Sequence, residues 1–375
     1  MAYLTRSRLW ESVDRGRAPE IAAIRAAMQD NRVVGITGPS EVGKTRLLEL
    51  ALAREELPER PPIVLVDLDS VYSPRNLMRR WLRAVAKGAA GPIAFSHIAV
   101  GAEARALWPS TTRRADHLVR DLLQDDYDVA LHGDREARPS KGGEEHIARA
   151  LAATARLADQ RPTTLIIDHL EAPELSRAVD VRALLWQVRA LSQRTQLRVV
   201  LACRQGAVDL AADADAAFYG DGSWLTIEAP KLETWRKIAS RAPSIDRIFK
   251  LTNGHVSSTV AVLARMSTFE LADDAFADAV EEHRPLAARC VQHAATLHRL
   301  APQVLIGIAN GLGPYQAIPD ASSRDIAEAA MRLDLAGLAW RPQPRRWRIV
   351  NPFVSHALRH SDDGLARATP AAEWE

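Results

Sequence analysis

Cysteine is nearly absent. The 375 residues contain two, Cys203 and Cys290, far apart in the chain. Neither belongs to a C-x-x-C pair, which excludes a zinc ribbon or a disulfide framework as the basis of the fold. Eleven histidines occur without metal-ligand spacing, so they read as surface or packing residues. Net charge is equally scarce, +2 in formal terms, and bulk charge therefore announces no nucleic-acid partner. No apolar run approaches the roughly 20 residues of a membrane span. The opening stretch, MAYLTRSRLWESVDRGR, lacks the apolar segment of a signal peptide. Internal repeats are missing too. These absences, with ordinary hydrophobic and charged fractions of 47% and 26%, predict a cytoplasmic globular protein of two or three domains.

What is present begins at residue 35. GITGPSEVGKT fits the pattern G-x-x-x-x-G-K-[ST], and it stands in the context that pattern needs. Val33, Val34 and Ile36 supply a preceding β-strand; Leu47, Leu48, Leu50, Ala51 and Leu52 supply a following helix. A glycine-rich turn points successive backbone N–H groups inward, where they bind phosphate oxygens, and the helix adds the positive end of its dipole. The candidate phosphate-binding residues are Gly38, Pro39, Ser40, Glu41, Val42, Gly43, Lys44, Thr45 and the adjoining Arg46. Lys44 would reach the β- and γ-phosphates, and Thr45 would place its hydroxyl on Mg²⁺. Glu41 occupies a position where glycine is frequent; a carboxylate there repels phosphate unless it points to solvent.

Strands alternate with helical stretches from here to about residue 229, which predicts a parallel α/β sheet. PPIVLVDLDS, TTLIIDHLE, LRVVLACRQ and SWLTIEA read as further strands. SPRNLMRRWLRAVAKG reads as a helix with Ser73 as N-cap and Pro74 at its first position. SRAVDVRALLWQVRALSQRT reads as one long helix, and residues 90–145 as an insertion with a polar loop at its tip. The pattern is wholly helical from Pro230, and Pro285 opens a second helical group that ends in a hairpin around RPQPRR.

A phosphate loop needs a partner that holds Mg²⁺. Asp168 follows Leu165, Ile166 and Ile167 at the carboxyl end of a buried-type strand and suits that role. His169 and Glu171 are the two candidates for polarising water. A neutral imidazole accepts a proton near pH 7, while an adjacent packing role for His169 stays open.

The order of these motifs resembles P-loop ATPases of the AAA+ and STAND groups, in particular prokaryotic ATPases related to archaeal origin-recognition proteins. DRGRAPEIAAIRAAM carries Gly16, Arg17, Glu20 and Ile21 and is similar to the box that precedes the phosphate loop in that group, where it lies near the adenine. VLACRQG resembles the sensor-1 strand, with Arg204 matching an arginine that STAND members place there. LTNGHVSSTVAVL is similar to the lid motif, with Gly254 and His255 present and Val256 in place of proline. NPFVSHALR resembles the end of a winged-helix domain.

The resemblance implies a five-stranded parallel sheet of order 5-1-4-3-2 in a core of residues 1–229, a helical lid over 230–284, a winged helix over 285–360 and a flexible tail over 361–375. It implies ATP or ADP with Mg²⁺ as cofactors, and Arg204 between phosphate and metal as a reporter of the γ-phosphate. The chain departs from the AAA+ pattern where His169 takes the place of the adjacent glutamate, so hydrolysis is expected to be slow.

Two classes of function follow. One is a nucleotide-controlled switch that couples to a protein partner or to another copy of itself. The other is an ATPase that assembles on duplex DNA through Arg341, Arg345, Arg346 and Arg348, which alternate with Trp340 and Trp347 in the hairpin. A third reading is a pseudo-ATPase that holds ADP. Arg182, Arg189 and Arg194 share one helix, but spacing does not choose an arginine finger among them.

Overall fold

The computed structural model describes residues 6–360 apart from 54–60, 70, 92–109, 133–142, 173–174, 176–177, 241, 243 and 344–345. The tail at 361–375, Arg345 and most of the polar tip of the 90–145 insertion lie outside the described residues. The core runs α1 (Arg6–Gly16), α2 (Ala18–Asp30), β1 (Val33–Thr37), α3 (Lys44–Ala53), β2 (Ile63–Asp67), α4 (Pro74–Ala90), α5 (Ser110–Leu123), α6 (Tyr127–His132), α7 (Gly143–Gln160), β3 (Thr163–Asp168), α8 (Val181–Arg194), β4 (Leu197–Cys203), α9 (Val208–Ala212) and β5 (Ser223–Thr226).

The five strands form a parallel sheet of order β2-β3-β4-β1-β5, the order expected from the resemblance. Continuous apolar runs are what a strand covered on both faces requires, and every residue of β1 and of β3 is buried. Alternate residues serve opposite faces. Val34, Ile36, Ile166 and Val200 pack on Ile24 of α2 and on Leu47 and Leu48 of α3. Leu165, Ile167, Val199 and Leu201 pack in the cluster that holds Trp81, Leu82, Leu157, Leu184 and Leu185 from α4, α7 and α8. Each such side chain, fully buried, contributes about 1.5–3 kcal/mol. The register sets Asp67 opposite Asp168, Asp168 opposite Ala202 and Thr37 opposite Cys203. The strand ends that carry polar chemistry therefore lie in one row.

Local signals set the helix ends. Ser73 Oγ accepts the Asn76 N–H at 3.1 Å and Pro74 begins α4. Of the helix expected from Ser176 onward, Ser176 and Arg177 lie outside the described residues; α8 opens at Val181, where the Asp180 carboxylate caps it by accepting the Ala183 N–H at 3.0 Å.

After β5 come α10 (Leu232–Ile238), α11 (Ile245–Thr252), α12 (Val256–Arg265), α13 (Ala272–Leu297), α14 (Ala301–Ala309), α15 (Pro314–Ala317) and α16 (Ser323–Leu335). The antiparallel hairpin β6 (Ala339–Gln343) and β7 (Arg346–Ile349) and then α17 (Pro352–Arg359) complete the order. Helix α13 passes through Pro285 without a break. Proline has no N–H donor and its ring crowds the carbonyl four residues back; at this exposed position that carbonyl can turn to water. One apolar cluster joins α1, α10–α14, α16 and α17, with Trp235, Phe276, Leu305 and Phe353 inside it. Among the described residues no helix is long and apolar enough to cross a membrane.

Candidate functional site

The loop from Gly38 to Thr45 joins β1 to α3 at the row of strand ends. Gly38 has φ 155, and a Cβ there would collide with the Ile227 carbonyl oxygen. Only glycine lets the loop turn this close to the chain leaving β5. Lys44 Nζ donates to the carbonyls of Gly38 and Pro39, 3.0 Å each, so the ammonium stands at the mouth of the loop. Its burial lowers its pKa, against which Glu171 and Asp168 act. Ser40 Oγ is buried with no hydrogen-bond partner among the described residues. Arg46 turns away from the loop and pairs with Asp14 of α1 at 2.8 Å.

Glu41 does not face phosphate. It adopts φ 58, and its Oε2 accepts from Ser257 Oγ at 2.8 Å and stands 3.6 Å from His255 Nε2. Both partners belong to the start of α12, so the carboxylate links the loop to the helical unit after β5. His255 is buried; its Nδ1 lies 2.9 Å from Ser258 Oγ. Burial lowers the His255 pKa, with Glu41 acting in the opposite direction. Val256 fills the first position of α12 in place of the proline that the resemblance would put there.

Asp168, at the end of β3, is buried and accepts from Thr45 Oγ1 at 2.5 Å. Two hard oxygen donors thus meet beside the loop, the type of pair that suits Mg²⁺. The His169 N–H donates to Asp168 Oδ1 at 2.8 Å, which fixes the carboxylate from behind. His169 itself has φ 61 and turns toward the edge strand, where its Nδ1 lies 2.9 Å from Asp67 Oδ1. That hydrogen bond raises the imidazole pKa and lowers that of Asp67.

Glu171 is buried. Its Oε2 accepts the Arg204 N–H at 3.1 Å and its Oε1 lies 3.2 Å from Arg204 Nε. Arg204 follows β4, and its Nη1 donates to the Leu335 carbonyl at the end of α16. The guanidinium therefore bridges the strand row and the C-terminal elements. Gly337, at φ 70 in the turn before β6, fits between the loop and this arginine. A Cβ there would collide with Arg204 Cζ and come 2.5 Å from Ser40 Oγ. Beside it Asp334 approaches Gly206, and burial pushes its pKa up to about 6 against the pull of Arg204 and Arg341.

A cavity of about 420 Å³ opens beside the loop. Pro39, Val42 and Ala229 form its floor, Lys250 and His255 one wall, and Trp340, Trp347 and Arg348 of the hairpin another. Among the described residues its lining includes cations and aromatic rings and no carboxylate. Arg17 does not line it. That side chain is buried beneath the loop, with Nη1 donating to the Val42 carbonyl at 2.5 Å and Nη2 to the Glu228 carbonyl at 2.9 Å. Gly16 packs against Ile238 of α10. On the hairpin Arg341, Arg346 and Arg348 are exposed, and Arg341 lies 6.0 Å from the Trp347 ring centroid.

The structure brings Lys44, Thr45, Asp168, Glu171 and Arg204 together. It sets His169 toward Asp67, Arg46 toward Asp14 and Glu41 toward α12. Sequence reasoning missed Asp67, Ser257, Lys250, Leu335 and Gly337. Asp67 alone had a signal, an acidic residue at the end of a strand.

No family model matches the chain, and no curated protein matches it. Among solved structures it is similar to a Walker-type ATPase of Pyrococcus abyssi, at 14% identity over 92% of this chain and 95% of that one, with a TM-score of 0.62. It is also similar to the ORC1 protein of Aeropyrum pernix in complex with DNA, at 13% identity over 91% of each chain and a TM-score of 0.47. A STAND protein with a tetratricopeptide repeat sensor from Pyrococcus horikoshii matches at 12% identity over 92% of this chain and 42% of that chain, with a TM-score of 0.39. Together with the sheet order and the 38–45 loop, the first of these gives the architecture: the chain has the fold of a Walker-type P-loop ATPase.

Proposed function

We propose that this protein is a nucleotide-controlled switch that binds ATP or ADP with Mg²⁺, hydrolyses ATP slowly and answers to the nucleotide through its C-terminal elements. In this reading residues 1–229 are the core, 230–284 the lid and 285–360 a winged-helix unit, with the continuous helix α13 shared between the last two. The phosphates occupy the 38–45 loop, with Lys44 as their cation, and the base and ribose extend into the adjoining cavity. Thr45 and Asp168 would hold Mg²⁺, which when bound draws charge from the phosphate oxygens. Slow turnover fits the two candidate bases: Glu171 is engaged by Arg204, and His169 by Asp67.

The observation that carries the switch is the double engagement of Arg204. One cation beside the loop is held by the Leu335 carbonyl, and a γ-phosphate would compete for it. A ligand moves such an equilibrium only as far as it binds one state better than the other, and a γ-phosphate supplies that difference. Arg204→Ala is therefore expected to leave ADP affinity nearly intact, to weaken ATP affinity, and to make limited proteolysis of the C-terminal elements respond alike to both. Equal loss of affinity for ADP and ATP would reduce Arg204 to a structural residue.

The exposed arginines of the hairpin favour a second reading, contact with duplex DNA. Each neutralised phosphate adds about −0.9 to the slope of log affinity against log salt. If Arg346 and Arg348 reach phosphates, replacing both with alanine should flatten that slope by about two such units. Arg348 also lines the cavity. A variant that loses nucleotide affinity while DNA retention stays weak and salt-insensitive would assign the hairpin to the nucleotide and to protein contacts.

A further inference from the structure

Arg17 presents a charged group where none would be expected. Its side chain is 2% exposed, and among the described residues the carboxylate it pairs with, Glu20 at 3.3 Å, is itself a third exposed. The remaining donors go to main-chain carbonyls of two separate segments, Val42 in the loop and Glu228 at the end of β5. The Val42 contact has a consequence through peptide geometry. In a trans, planar peptide the carbonyl and the N–H point in opposite directions. Every peptide bond described here is trans. Holding the Val42 oxygen on the Arg17 side therefore turns the Gly43 N–H to the opposite side. Gly43 has φ 92, in the region where glycine moves freely, so this peptide has little intrinsic preference of its own.

We propose that Arg17 is a positioning residue for the anion site. It fixes the Val42–Gly43 peptide so that the Gly43 N–H faces the phosphates, and through Glu228 it ties that peptide to the chain that lines the cavity at Ala229. Without it the peptide can flip and present a carbonyl oxygen to phosphate. Lysine does not reproduce it, because Arg17 meets carbonyls of two separate segments with two different nitrogens of one rigid fork, and a lysine has a single nitrogen to offer. This inference rests on the nucleotide reading above; the state of the loop can be measured without any nucleotide.

The experiment compares wild type, Arg17→Ala and Arg17→Lys by amide hydrogen exchange in the ligand-free protein and by titration with a fluorescent ADP analogue. Both variants are expected to exchange faster at residues 43–45, with little change in the β3 and β4 amides, and to bind the analogue about 10-fold more weakly or worse, in keeping with an unsatisfied buried carbonyl. Millimolar guanidinium ion should restore part of the affinity of Arg17→Ala and none of that of Arg17→Lys, whose side chain fills the space. Exchange and affinity unchanged from wild type would overturn the proposal and leave Arg17 as a fastener of α1 to α2. So would faster exchange spread evenly over the core, because that is general destabilisation. If wild type itself fails to bind the analogue, the nucleotide reading falls, while the exchange at 43–45 still decides whether Arg17 holds the loop.

Discussion

Lys44→Ala is expected to abolish measurable nucleotide binding while leaving the ligand-free protein as stable as before. Lys44 is a buried cation of the loop, and among the described residues its ammonium hydrogen-bonds to two carbonyls of that loop. A charge-assisted bond to phosphate is worth about 1.5–3 kcal/mol, which is on the order of a 10- to 150-fold loss of affinity, and the methyl group also leaves the Gly38 and Pro39 carbonyls aimed at the ligand. Stability should not suffer in parallel. Burial already disfavours the ammonium, so removing it takes away a desolvation cost along with two hydrogen bonds. The two effects separate in thermal unfolding. A ligand at 100 times its Kd stabilises the native state by about 2.7 kcal/mol. Wild type should therefore melt higher with ADP and Mg²⁺ present, and Lys44→Ala should not. An ADP-induced shift of equal size in the variant would remove the loop from the binding site.

Asp168→Asn is the second large effect. The side chain keeps its shape, and its amide oxygen can still accept from the Thr45 hydroxyl, so the strand end should survive. The negative charge is lost, and a neutral amide oxygen is a weaker ligand for a hard cation. Nucleotide binding in the presence of a chelator should stay near the wild-type value, whereas the gain in affinity on adding Mg²⁺ should shrink and single-turnover hydrolysis should fall by about 100-fold or more, the scale of a lost charge-stabilising group. Glu171→Gln and His169→Ala divide the remaining question, because each removes one candidate base. Hydrolysis by Asp168→Asn at the wild-type rate would show that the metal is held elsewhere.

Much of the core was legible because its signals are local. The glycine spacing of the loop, the unbroken apolar strands and the cap at Ser73 act within a few residues, so they survive in the linear text. The strand order came from resemblance and was met in the structure. The boundary at Val181 was not legible, because apolar periodicity runs across a helix start that a single capping carboxylate sets. Pro285 looked like a boundary because proline breaks many helices, yet at an exposed position the freed carbonyl can be hydrated and the helix continues.

The sequence by itself located the candidate phosphate site: the loop, Lys44, Thr45 and Asp168 are a matter of residue type beside the end of a strand. Tertiary structure decided what surrounds them. Glu41 reaches Ser257 across 216 positions and Arg204 reaches Leu335 across 131. No periodicity encodes such pairs, because they arise only when separate helices close on the row of strand ends. The same holds for Arg17, whose two carbonyl partners lie 25 and 211 residues away. Main-chain carbonyls are identical at every position, so which of them a buried guanidinium will find depends on the fold alone.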